Sequence, residues 1–123
     1  MVSDVEKVHN LTKIAQVLSS EIRIRMLKLL TETNICVCEM RQIIPISHSQ
    51  VSRHLKALMD VGFLKHWHEG KCVVYIADRT NSDPFCRLLI NLIADSFEDD
   101  ELISDYRRKL KQVVEDKIRE KSM

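Results

Sequence analysis

Three features of the 123-residue chain predict a mainly α fold with one small β-hairpin. Apolar residues make up 45% while Gly and Pro number two each, a composition that suits long helices better than a sheet-rich fold. Apolar positions recur at helical spacing along most of the chain. From Phe63 that spacing gives way to two strand-like runs on either side of Glu69-Gly70.

Leu11, Ile14, Ala15 and Leu18 follow the i, i+3, i+4, i+7 pattern of a first helix over about 5–18. Ser19 or Ser20 suits the cap of the next, where Ile22, Met26, Leu27, Leu29 and Leu30 give an apolar face. Thr31 to Asn34 break the run, and a short helix over about Cys36 to Ile44 follows, stopped by Pro45. A further helix starts near Ser47 or Ser49, with Val51, Leu55 and Leu58 on one buried face and Ser49, Arg53 and Lys56 on the opposite one. Gly62 suits its C-terminal stop. FLKHWH and CVVYIA then read as a hairpin. Asp83-Pro84 reads as a helix start, followed by Phe85, Leu88, Leu89, Leu92 and Ile93 at helical spacing. A last amphipathic stretch carries Leu102, Ile103, Tyr106, Leu110, Val113, Val114 and Ile118.

Helices, a helix-turn-helix and a hairpin in that order make a winged helix-turn-helix, here one domain over residues 1–123. The second helix of such a pair fits the major groove of double-stranded DNA, and the hairpin reaches the flanking backbone. The first helix and the segment 84–120 hold more apolar surface than one small core needs, so they are expected to pair two subunits into a homodimer. A homodimer calls for a two-fold-symmetric operator.

The net charge of +1 neither supports nor excludes nucleic acid, because its distribution decides. Residues 47–79 carry five Lys/Arg against three Asp/Glu and four of the five histidines. The acidic run from Glu98 to Glu101 is expected to face away from DNA. The N-terminal residues lack an apolar signal core and no run is long enough to span a membrane, so a cytoplasmic protein is expected. Four cysteines there are expected to be thiols or metal ligands rather than structural disulfides. The chain has no C-x-x-C in a βαβ context and no Gly-rich loop, which argues against a thiol enzyme.

Cys36 and Cys38 stand i, i+2 at the start of the short helix. On a regular helix they would lie roughly 200° apart, so one must face out unless the helix is distorted. An ion clamping both sulfurs would impose that distortion and strain the helix before the reader. Thiolates select soft ions, As(III), Sb(III), Cd(II), Pb(II) or Cu(I), over Mg or Ca. Cys72, on the wing, reads as a core or surface thiol. Cys86, in the first turn of a helix, could be packing or a third sulfur, from this subunit or its partner. His54 lies at the edge of the buried face, where a structural hydrogen bond and DNA contact are both open. Arg107, Arg108, Lys109 and Lys111 read as the solvent side of an amphipathic helix.

NICVCEM (34–40), SQVSRHLKALMDVGFL (49–64) and EGKCVVYIA (69–77) resemble the ArsR/SmtB family of metal-responsive bacterial and archaeal repressors. The likeness covers about Leu11 to Ala77. CVC at the start of the third helix resembles the arsenic- and antimony-responsive branch and also the cadmium/lead branch. The resemblance implies a homodimer that leaves its operator when metal binds. It makes Cys36 and Cys38 ligands, with As(III) or Sb(III) the expected inducer and Cd(II)/Pb(II) the alternative. It turns Ser47, His48, Ser49, Gln50, Ser52 and Arg53 towards DNA, with Lys56 beside them and Lys71 at the wing tip.

The chain departs from each branch. Arg41 stands where the arsenic branch often has a third cysteine, residues 1–12 lack the cysteines of the cadmium/lead arm, and the C-terminal helix lacks the histidine of the zinc/nickel/cobalt site. A rival on the same fold is a sensor of oxidants or reactive sulfur, through a Cys38–Cys86 link if the two are close. Another is a constitutive DNA-binding protein with incidental cysteines.

Overall fold

A computed structural model describes residues 3–121. The chain runs α1 (Asp4–Val17), α2 (Glu21–Glu32), β1 (Ile35–Cys36), α3 (Val37–Ile43), α4 (His48–Asp60), β2 (Leu64–Glu69), β3 (Cys72–Ala77), α5 (Pro84–Ala94) and α6 (Glu101–Lys121). It is a winged helix-turn-helix: α3 and α4 form the helix pair and β2–β3 the wing. No helix among the described residues is long and apolar enough to cross a membrane.

The helix starts follow local chemistry. Ser3, Ser20, Ser47 and Asp83 each accept a backbone N–H from the first turn of the helix they precede. At α4 the cap is reciprocal: the Gln50 N–H donates to Ser47 Oγ at 3.2 Å, and the Ser47 N–H to Gln50 Oε1 at 3.0 Å. The same helix ends in a Schellman turn, with Gly62 N–H on the Met59 carbonyl and Phe63 N–H on that of Leu58. Gly62 has φ +93°, and a Cβ there would collide with the Asn81 amide that donates to its carbonyl.

One strand is new. β1 pairs with β3 antiparallel, so the sheet has three strands in the order β1-β3-β2. Two residues carry no periodicity, and β1 is defined by its partner rather than by itself. It changes the reading of Cys36, which ends a strand and caps α3 with φ −81° and ψ 156° instead of lying within the helix.

The core joins every layer. Met26, Leu27 and Leu30 of α2, Leu55 and Leu58 of α4, and Phe63 before the wing are all 1% exposed or less. Helices α5 and α6 pack on α2, and α6 also runs along α3. Lys28 is buried among them, its ammonium donating to the Ala94 carbonyl at 2.7 Å and to Glu98 Oε1 at 2.8 Å. A cation on the last carbonyl of α5 answers the negative end of that helix, and Lys28 holds the Glu98 carboxyl below its ordinary range. Asp100 caps α6 at the Ile103 N–H and takes both ends of the Arg25 guanidinium. Arg107 grips Glu32 with two nitrogens, a fixed ion pair where the sequence suggested a solvated face. Two of the four acidic residues at 98–101 are thus structural.

Candidate metal centre and nucleic-acid interface

The sulfurs of Cys36, Cys38 and Cys72 all lie within 4.8 Å of one another. Cys36 Sγ is 2.9 Å from Cys38 Sγ, and Cys38 Sγ is 3.7 Å from Cys72 Sγ. The sheet register explains the convergence. Cys36 stands opposite Val74, and residues directly opposite share one face of a sheet. Cys72 is two residues from Val74, hence on that face too. The first turn of α3 then folds Cys38 over the pair. The thiols come together because Cys36 is extended, so helix distortion is not needed and the strain expected from a helical i, i+2 pair has no basis.

Cys86 is not in the cluster. It is wholly buried in the first turn of α5, and its thiol donates to the Val61 carbonyl at 3.3 Å. Burial, with Asp83 and Asp78 adding to it, pushes its pKa up to about 11, the opposite of the activation expected at a helix start. Within one subunit this thiol is outside the three-sulfur group. The third member of that group is Cys72, which the sequence assigned to core or surface.

Two charged groups border the sulfurs. Lys117 of α6 directs its ammonium to Cys36 Sγ at 3.2 Å and Cys38 Sγ at 3.7 Å, and pairs with Glu39 Oε2 at 3.2 Å. The other oxygen of Glu39 accepts the Cys36 N–H at 2.8 Å. Burial pushes the Cys36 thiol up and the sulfur of Cys38 adds to this, while Lys117 pulls it back. Burial works against the Glu39 charge, but the hydrogen bonds from Cys36 and Lys117 outweigh it and its carboxyl falls below the usual range. An open cavity of about 500 Å³ lies beside the cluster, lined by Cys36, Glu39, Cys72, Val114 and Lys117 among others.

On α4 the expected reader residues divide. Ser47, His48, Ser49, Gln50, Arg53 and Lys56 are exposed, and Lys71 is exposed at the hairpin turn. Lys56 shares its charge with Asp60 at 3.2 Å, an exposed i, i+4 pair of small worth. Ser52 is half-buried and accepts from Arg41 Nη2 at 3.0 Å, which ties α3 to α4. Among the described residues, the buried Arg41 Nε has no hydrogen-bond partner. His54 accepts Arg23 Nε–H on Nδ1 at 3.0 Å, the structural bond rather than a free edge. Burial first, then Arg23 and Arg53, lowers its pKa, so the neutral acceptor form is favoured. No local pattern announced Lys117, Arg23 or Arg41, whose roles arise from contacts between helices.

Residues 20–66 match the profile of bacterial regulatory proteins of the arsR family. The chain is 34% identical over 70 residues to a cadmium resistance transcriptional regulatory protein CadC homolog of Staphylococcus aureus, covering 56% of this chain and 58% of that protein. It is 36% identical over 59 residues to the arsenic resistance transcriptional regulator ArsR1 of Pseudomonas putida, covering 47% and 46%. The chain thus spans about half the length of the curated relatives it matches. Among solved structures, reduced HlyU of Vibrio cholerae superposes with a TM-score of 0.61 at 22% identity, over 75% of this chain and 94% of that one. The homodimeric winged helix-turn-helix DNA-binding domain of Mb0332 from Mycobacterium bovis gives 0.61 at 19% identity, over 76% and 84%. The likeness to the arsR-family profile thus falls on the helix-turn-helix, and the fold shared with the solved structures is the winged helix-turn-helix.

Proposed function

We propose that the chain is a homodimeric transcriptional repressor of the ArsR/SmtB type, released from its operator when a thiophilic ion binds Cys36, Cys38 and Cys72. The observation that carries this reading is the three-sulfur cluster between β1, α3 and the wing. Three thiols with no imidazole among them select soft ions. As(III) is the first choice and Sb(III) the second, with Cd(II) and Pb(II) behind them. On binding arsenite, three thiols replace three hydroxyls of As(OH)₃ and three waters leave.

The cluster touches both DNA-reading parts. Cys72 is on the first residue of β3, beside the turn that carries Lys71. Cys38 is on α3, whose Arg41 holds Ser52 of α4. An ion held by all three sulfurs therefore links the wing to α3 and fixes their relative position. Ser47, His48, Ser49, Gln50, Arg53 and Lys56 contact the major groove and Lys71 the flanking backbone. The exposed Val5, Val8 and Leu11 of α1 and Leu88 and Leu92 of α5 supply the surface that a second copy buries. The homodimeric state of the Mb0332 domain supports that assembly.

The test is a fluorescence-anisotropy titration of reduced protein on DNA from upstream of its own gene, with and without arsenite. The expected result is operator binding that weakens by about 5- to 150-fold when arsenite is added, a coupling of about 1–3 kcal/mol. Binding that ignores arsenite, Sb(III), Cd(II) and Pb(II) alike would sink the ion reading. A response abolished by reductant would favour the oxidant-sensing rival.

A further inference from the structure

We propose that Lys117 tethers the C-terminal end of α6 to the thiol cluster in the ion-free protein, and that occupation of the sulfurs releases it. The inference rests on the ion-site reading above.

The first half of α6 is anchored without Lys117. Ile103, Tyr106 and Leu110 are buried, and Arg107 is clamped to Glu32. Beyond Leu110 the helix changes character. Among the described residues 111–121, only Val113 and Lys117 are half-buried, and the others are exposed. The Lys117 ammonium has three acceptors, all in the start of α3 or its cap: Cys36 Sγ, Cys38 Sγ and Glu39 Oε2. One cation thus joins the far end of α6 to the segment that holds two of the three sulfurs.

Ion binding competes with this contact directly. An ion held by all three sulfurs must lie among them, so Cys36 Sγ and Cys38 Sγ have to turn towards it from their places against Nζ. Glu39 remains as an acceptor, but one of its oxygens is already committed to the Cys36 N–H. With two of three acceptors withdrawn, the end of α6 loosens. Val114 and Ile118, exposed on the same turns, move with it. Site occupancy then becomes visible at a surface far along the chain from the reader helix.

Hydrogen exchange on the reduced full chain tests this, comparing wild type, Lys117→Met and Lys117→Arg, each with and without arsenite. The rise of sulfur-to-arsenic absorption reports occupancy. Without ion, amides at 113–121 should exchange about tenfold faster in Lys117→Met than in wild type, with Lys117→Arg close to wild type. Arsenite should bring wild type to the Lys117→Met rate and add nothing further to that variant. Unchanged exchange in wild type at full absorption overturns the tether and leaves the ion site standing. Equal ion-free rates in wild type and Lys117→Met also overturn it. Absence of the absorption overturns the tether and the ion site together.

Discussion

Cys72→Ser should weaken arsenite binding to the reduced protein by about a hundredfold or more, while Cys86→Ser leaves it unchanged. Losing an outer-shell partner of a metal ligand already costs roughly 10- to 100-fold in affinity, so losing a ligand belongs at or beyond that limit. A serine hydroxyl is a hard oxygen in place of a soft sulfur and is a poor substitute for these ions. Cys86 is the matched control, because it is buried, bonded to the Val61 carbonyl and outside the cluster. Titration of sulfur-to-arsenic absorption reads both variants. Equal affinities in wild type and Cys72→Ser would restrict the site to Cys36 and Cys38.

Phe63→Ala should lower folding stability by about 3–5 kcal/mol, the range for truncating a wholly buried phenylalanine. Phe63 is 0% exposed and sits where α4 turns into the wing. Its N–H closes the Schellman turn on Leu58, and its carbonyl accepts the Asp78 N–H at 2.8 Å. The backbone of Phe63 thus joins α4 to the wing, while its ring fills the core beneath that junction. Urea denaturation followed by far-ultraviolet circular dichroism measures the loss. A cost under about 1 kcal/mol would mean that this junction repacks freely instead of holding α4 and the wing as one rigid unit.

The five longer helices and the hairpin were legible because each is written locally. Apolar spacing marks their buried faces, and Ser20, Ser47, Gly62 and Asp83-Pro84 mark where they begin or end. Leu55 and Leu58 fell on the buried side of α4, with Arg53 and Lys56 opposite, as the helical period requires. Two residues of strand could not be read that way. Ile35 and Cys36 are extended because β3 is beside them, and that pairing is information held some forty residues further along the chain.

The misreading of the thiols follows from that one gap. With Cys36 on a helix, the two sulfurs diverge, and Cys86 stayed open as either packing or a third sulfur. With Cys36 on β1, the register itself carries Cys72 to the same face. Lys117 was hidden for a related reason: it stands 81 residues from the sulfur it contacts, in a stretch rich in other cations. Charge partners across helices leave no periodic trace, so Lys28, Arg41 and Arg107 were equally silent in the sequence.

Arsenic X-ray absorption on the arsenite-loaded, reduced protein tests the three-sulfur site most directly. Three sulfur neighbours and no oxygen are expected in wild type, changing to two sulfurs and one oxygen in Cys72→Ser. Two sulfurs in wild type, with a spectrum that Cys72→Ser leaves unaltered, would contradict it.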